Sequence, residues 1–245
     1  MKTATPIRPT AGSEAIPWDQ IKGWFFDLDG TLMDTDDQVV ERIAARLSLL
    51  GPKRARNVGR QLVMKSETWI NAMVTVLDMV GLDSWVFAVR HQLSRQVAPT
   101  FRLIQGIKPL LQTLADRGGV LAVVSTRPTE DAEAFLRQHD LTSFFELIVA
   151  QETTKRLKPH PEPIRYAARS LNLPIESCVM VGDTPVDVRS ASRAGAWAVG
   201  VLCGFGEVHE LELAGADCVL DKTADLLPLI EERPSDQSSE APSRN

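Results

Sequence analysis

The sequence predicts an α/β fold in which a doubly wound parallel sheet carries an inserted all-helical domain. Three observations lead there. Short continuous apolar runs recur at 21–26, 120–124, 145–149, 178–181, 197–202 and 218–220. Unbroken apolarity, rather than alternation, suits strands buried on both faces of a parallel sheet. From position 106 onward these runs alternate with segments of helical periodicity, which implies βαβ units. Between about Asp36 and Gln105 the alternation stops and no strand pattern is found.

In chain order, 21–26 is the first strand. The insert of about 70 residues follows it directly. Val39, Ile43, Leu47 and Leu50 fit one helix, ended by Gly51-Pro52. Trp69/Ile70, Met73, Val74, Leu77 and Val80 fit a second, with Ser66 as N-cap, and Val86, Val89, Leu93 and Val97 a third. Ile107, Leu110, Leu111 and Leu114 return at helical spacing, and Gly118-Gly119 stops that helix before the next strand. Thr129 is placed to cap a helix bearing Ala132, Phe135 and Leu136, and Ile164, Ala167, Ala168 and Leu171 mark another. The expected organisation is a discontinuous core over 18–33 and 106–232, a helical domain over 34–105, and flexible ends at 1–17 and 233–245. The Pro-containing start lacks the apolar run of a secretory signal, and the Ser- and Pro-rich end reads as disordered.

The 245 residues allow about 1.6 domains on a length prior. At 44% hydrophobic and 24% charged the chain is an ordinary globular one, which excludes wholly disordered and multi-span membrane classes. The net charge of −5 argues against a general nucleic-acid binder. No uncharged stretch approaches the length that spans a bilayer. The three cysteines, Cys178, Cys203 and Cys218, are widely spaced, so neither a disulfide framework nor a zinc site is indicated. Free thiols suit a cytoplasmic setting.

Two segments carry chemistry. The first strand ends in Asp27-Leu28-Asp29-Gly30-Thr31. Four fixed positions of this kind arise by chance in roughly one chain in a thousand at this length. In open α/β sheets the carboxyl ends of the strands face the ligand crevice, so Asp27 stands at its mouth and Asp29 in the turn beside it. The run at 178–181 ends likewise in Gly182-Asp183, with Asp187 four residues on, at the start of the next helix. Asp27, Asp29, Asp183 and Asp187 brought together repel one another unless a cation joins them. Mg²⁺, which takes oxygen ligands and bridges to phosphate, is the natural one.

These segments, in this order, resemble the haloacid dehalogenase superfamily in its phosphatase branch. The resemblance covers roughly 20–231 and implies a Rossmann-like core with a helical cap. It implies that Asp27 is a nucleophile that becomes phosphorylated. Asp29 is then the general acid and base, its backbone carbonyl a magnesium ligand. Ser125, in Ser125-Thr126, holds the phosphate; Thr126 stands where many relatives have Asn, and there its backbone N–H does the binding. Lys158, favoured over Lys155 by its Pro context, steadies nucleophile and phosphate. Asp183 and Asp187 supply the acidic magnesium site. Asp187 has three open roles: ligating the metal, holding Lys158 or capping a helix.

The implied enzyme is a Mg²⁺-dependent phosphohydrolase acting on a small phosphate ester, with no nucleic-acid or membrane partner. The stretches around Gly182-Asp183, Ala194-Gly195 and 199–202 look most like phosphoglycolate phosphatases and their pyrophosphatase relatives. A phosphomutase of the β-phosphoglucomutase kind uses the same motifs, and a non-catalytic binding protein is the third reading. Among other residues, Arg127 follows the phosphate-binding position and either touches substrate or, the favoured reading, forms a surface ion pair; Asp34 is expected in a turn or cap, and His160 at the surface. The basic run Lys53, Arg54, Arg56, Arg60 and Lys65 is either a solvated helix face or a lining for an anionic leaving group.

Overall fold

A computed structural model describes residues 16–34 and 102–231. The three helices expected in the insert, the basic run and most of both ends lie outside those residues. The chain divides into two compact units, 33–102 and the remainder.

The larger unit is built on a six-stranded sheet in the order β5-β4-β1-β6-β7-β8. Its strands are β1 (Gly23–Phe26), β4 (Val120–Val124), β5 (Phe145–Val149), β6 (Cys178–Gly182), β7 (Trp197–Val201) and β8 (Cys218–Leu220). Every neighbouring pair is parallel. Phe26 stands opposite Val123 on one side and Val181 on the other. All four residues of β1 are buried. Side chains alternate along a strand, so both faces of the sheet are covered. This is the α/β fold the apolar runs predict.

The helices in this unit are α1 (Ile107–Asp116), α2 (Thr129–Gln138), α3 (Glu162–Ser170), α4 (Pro185–Ala194), α5 (Val208–Ala214) and α6 (Leu226–Glu231). Ile107, Leu110, Leu111 and Leu114 are the buried face of α1, as their spacing predicts. Ile164, Ala167 and Ala168 of α3 pack with Val188, Ala191 and Ala194 of α4 against Phe25, Ala122 and Met180 of the sheet. The small residues let helix and sheet approach closely. Cys178 and Cys218 are buried strand residues, and all three cysteines are free.

The structure differs from the sequence reading in several places. The first strand begins at Gly23, not at 21. Ile16 is fully buried and Trp18 stacks on Trp24 with centroids 6.1 Å apart, so ordered packing begins inside the expected loose arm. Thr129 does not cap α2. The N-cap is Pro128, and the Thr129 hydroxyl donates to Glu152 Oε2 at 3.0 Å. A long-range carboxylate has taken up the group that a local pattern assigns to the helix. Finally, β2 (Met33–Asp34) pairs with β3 (Arg102–Leu103), where the chain leaves and re-enters the larger unit. Asp34 thus lies in a short strand rather than a turn.

Candidate active site

Because β1 lies between β4 and β6, the carboxyl ends of three strands meet at one edge. Sheet order reverses about β1, and such a point is where open α/β sheets hold ligands. Asp27 extends β1, its N–H donating to Val181 O at 3.0 Å. Ser125 extends β4, its N–H donating to Val149 O at 2.9 Å. Asp183 follows Gly182 at the end of β6, and Asp187 sits on the first turn of α4.

Lys158 ties these ends together. Its ammonium donates to Asp27 Oδ1 at 2.8 Å, Val124 O at 2.9 Å and Asp187 Oδ1 at 2.5 Å. Three donors meet three acceptors, which is what a buried ammonium requires. Lys155, the competing lysine, is exposed. Burial acts to lower the Lys158 pKa, but Asp187 and Asp27 outweigh it and hold the group above its ordinary value. Lys158 therefore stays charged.

Asp187 is shared. Its Oδ2 accepts from the Thr184 N–H at 3.2 Å and the Thr184 hydroxyl at 2.6 Å, completing a reciprocal capping box on α4. Two of the roles left open for Asp187, holding Lys158 and capping, are thus filled by its two oxygens. Asp183 is enclosed. Its Oδ2 accepts from the Phe205 N–H at 2.8 Å. A Cβ on Gly30 or on Gly204 would collide with the Asp183 carboxylate, and Gly30 has φ 65°. Only glycine lets two backbone segments close on this acid. The Gly204-Phe205-Gly206 loop was missed in the sequence; its paired glycines after a strand were the available signal.

Asp27, Asp183 and Asp187 each offer a carboxylate oxygen within 4.8 Å of the others, and all three are buried. Burial pushes Asp27 up to about 7, with Lys158 opposing the rise and Asp187 and Asp29 adding to it. Three carboxylates against one ammonium leave an excess of negative charge that a divalent cation would offset. The donors are all oxygen, which suits a hard cation such as Mg²⁺. The donor chemistry therefore fits the expected metal.

The Asp29 carboxylate is not part of that trio; the metal role expected of Asp29 falls on its backbone carbonyl, not on this group. It faces Arg127 instead, with Arg127 Nε to Asp29 Oδ2 and Nη2 to Oδ1 both at 2.6 Å. The surface ion pair expected for Arg127 is in fact a two-pronged contact with the predicted acid and base. Ser125 is buried, and its hydroxyl accepts from the Arg127 N–H at 3.2 Å. Thr126 next to it is half-buried. His160 accepts from the Glu162 N–H at 3.1 Å and lies 3.1 Å from Arg156 Nη1, and it is half-buried rather than fully at the surface.

A sequence profile described as haloacid dehalogenase-like hydrolase matches residues 24–201. The phosphoglycolate phosphatase of Pectobacterium atrosepticum is 30% identical over 222 residues, covering 86% of this chain and 92% of its own. That of Yersinia pestis is 28% identical over 229 residues, covering 88% and 95%. The crystal structure of a predicted phosphoglycolate phosphatase from Haemophilus somnus 129pt shares the fold at a TM-score of 0.62 and 24% identity, covering 86% of this chain and 98% of that one. Among the described residues no helix is long and apolar enough to cross a membrane.

Proposed function

This chain belongs to the haloacid dehalogenase-like hydrolase family, and we propose that within it the chain is a Mg²⁺-dependent phosphatase hydrolysing a small phosphate monoester of the phosphoglycolate type. The observation that carries the reading is the Asp27–Lys158–Asp187 arrangement beside Asp183: a buried nucleophile candidate held by one cation, within a trio of oxygens suited to another.

Lys158 fixes Asp27 by Oδ1, which leaves Oδ2 to attack phosphorus. The Asp27–phosphorus bond forms as the ester P–O bond breaks, and Asp29 gives the leaving oxygen its proton. Water then attacks the aspartyl-phosphate, Asp29 takes the proton of that water, and inorganic phosphate departs with Asp27 restored. Ser125 and the backbone N–H of Thr126 hold phosphate oxygens, and Lys158 lowers the repulsion between Asp27 and its target. Held by Asp27, Asp183 and Asp187, Mg²⁺ would supply further charge neutralisation at the phosphate.

The test is phosphate release from phosphoglycolate and other small monoesters with Mg²⁺ present. Release that chelator stops supports the reading, and no release from any ester overturns it. A second prediction needs no turnover. A metal ligand must be deprotonated to bind. Asp27, pushed up to about 7, holds a proton below that pH. Calorimetric Mg²⁺ affinity should therefore rise about tenfold per pH unit up to about 7 and then level off, with proton release at the acid end. An affinity flat between pH 6 and 8 would contradict ligation through Asp27.

A further inference from the structure

The fork between Arg127 and Asp29 conflicts with the work asked of Asp29. Both of its oxygens accept from the guanidinium, Oδ2 from Nε and Oδ1 from Nη2, at 2.6 Å each. Held so, Asp29 is not turned toward a leaving oxygen, and the contact must open during turnover. Opening it uncovers a receptor. Two parallel N–H donors in one plane match a carboxylate in shape and charge, and Arg is the side chain that does this best. The remaining Nη1 lies 3.7 Å from Asp131 Oδ2. The receptor is reached from solvent, since the Arg127 and Asp29 side chains are 26% and 30% exposed. It also lies beside the phosphate position, because Arg127 follows Ser125 by two residues and its N–H donates to the Ser125 hydroxyl.

We propose that Arg127 is the specificity-determining residue for a carboxylate on the leaving group, and that Asp29 occupies its place until substrate arrives. The substrate carboxylate replaces Asp29 on the fork, and the released Asp29 takes a proton from water and turns to the leaving oxygen, to which it gives that proton. The exchange on Arg127 is itself one carboxylate for another, so the charge beside Arg127 is unchanged. An ester with a neutral leaving group has to open the fork with nothing to replace Asp29. Phosphoglycolate, the substrate type proposed above, carries such a carboxylate on its leaving group. The proposal rests on the phosphatase reading above and deepens it.

The experiment compares kcat/KM for phosphoglycolate and for its neutral amide, 2-phosphoglycolamide, using the full chain with Mg²⁺. Wild type is expected to prefer the acid by about 100-fold, the scale on which a charged pair is felt when one partner is removed. In Arg127→Met that preference collapses toward one. Arg127→Lys, which keeps the charge and loses the fork, retains about tenfold. The ratio cancels any loss common to both substrates, which a merely structural role for Arg127 would produce. Should Arg127→Met fail to fold, Arg127→Lys carries the same comparison. Glycolate should also inhibit wild type competitively and lose that effect in Arg127→Met. A wild-type preference near one, or a ratio unmoved by either substitution, overturns the proposal. Turnover of other monoesters with neither of these two overturns it while leaving the phosphatase reading intact. No phosphate release from any monoester overturns both.

Discussion

Replacing Asp27 with Asn is expected to lower kcat by about 10⁴-fold or more, the scale on which loss of a nucleophile is felt. The amide keeps the shape of the carboxylate and can still offer an oxygen to Lys158, so the loss falls on the attack itself. The stability side has the opposite sign. Asp27 is pushed from 3.8 to about 7, chiefly by burial. The folded state thus binds its proton more tightly than the unfolded chain does. The stability this provides is complete below the unfolded value and is lost as pH rises to about 7. At pH 8 without metal the buried Asp27 carboxylate is a cost, and Asn removes it. Asp27→Asn should therefore be inactive while melting, in chelator at pH 8, at or above the wild-type temperature. The paired measurement is phosphate release and a thermal melt. Turnover within tenfold of wild type would end the case for Asp27 as nucleophile.

Replacing Lys158 with Met is expected to damage both properties. Lys158 bonds to Asp27, Asp187 and the end of β4 together. Removing it leaves Asp27 and Asp187 buried without their shared cation. Breaking a buried ion pair from one side costs about 3–5 kcal/mol. For a domain of this size that is a fall of roughly 10 °C in Tm. The fall should be larger at pH 8 than at pH 6, because Asp27 sheds its proton in between. Mg²⁺ should restore part of it, by offsetting the same carboxylates. Turnover should drop by about 10³-fold, as when a positioned electrostatic donor is lost. Melts in chelator and in Mg²⁺ at both pH values check the pattern. A Tm within 2 °C of wild type throughout, about what a solvent-exposed pair would cause, would show that the buried network contributes little.

The fold and the placement of the acids were legible for a local reason. Apolar runs such as 120–124 and 178–181 are properties of neighbouring residues, and so is the rule that an acid after a parallel strand stands at the crevice. Asp27 and Asp183 follow from that rule and lie at strand ends; Ser125, which only the family resemblance named, lies at the end of β4. The helix predicted at 107–114 follows from spacing along one element. Where the reading went astray, a distant partner had intervened. Thr129 looked like a cap until Glu152 took its hydroxyl. Ile16 looked loose because a single apolar residue in a Pro-containing arm has no periodicity to reveal burial.

By itself, then, the sequence determined the α/β class and the strand ends that carry acids. The tertiary structure decided which charge meets which. Lys158 reaches Asp27 across 131 positions and Arg127 reaches Asp29 across 98. It also decided that Asp187 divides its oxygens between Thr184 and Lys158, and that glycines close on Asp183. Such pairings depend on strand order, with β1 seated between β4 and β6. Hydrophobic periodicity encodes which face of an element is buried, but not which element lies beside it.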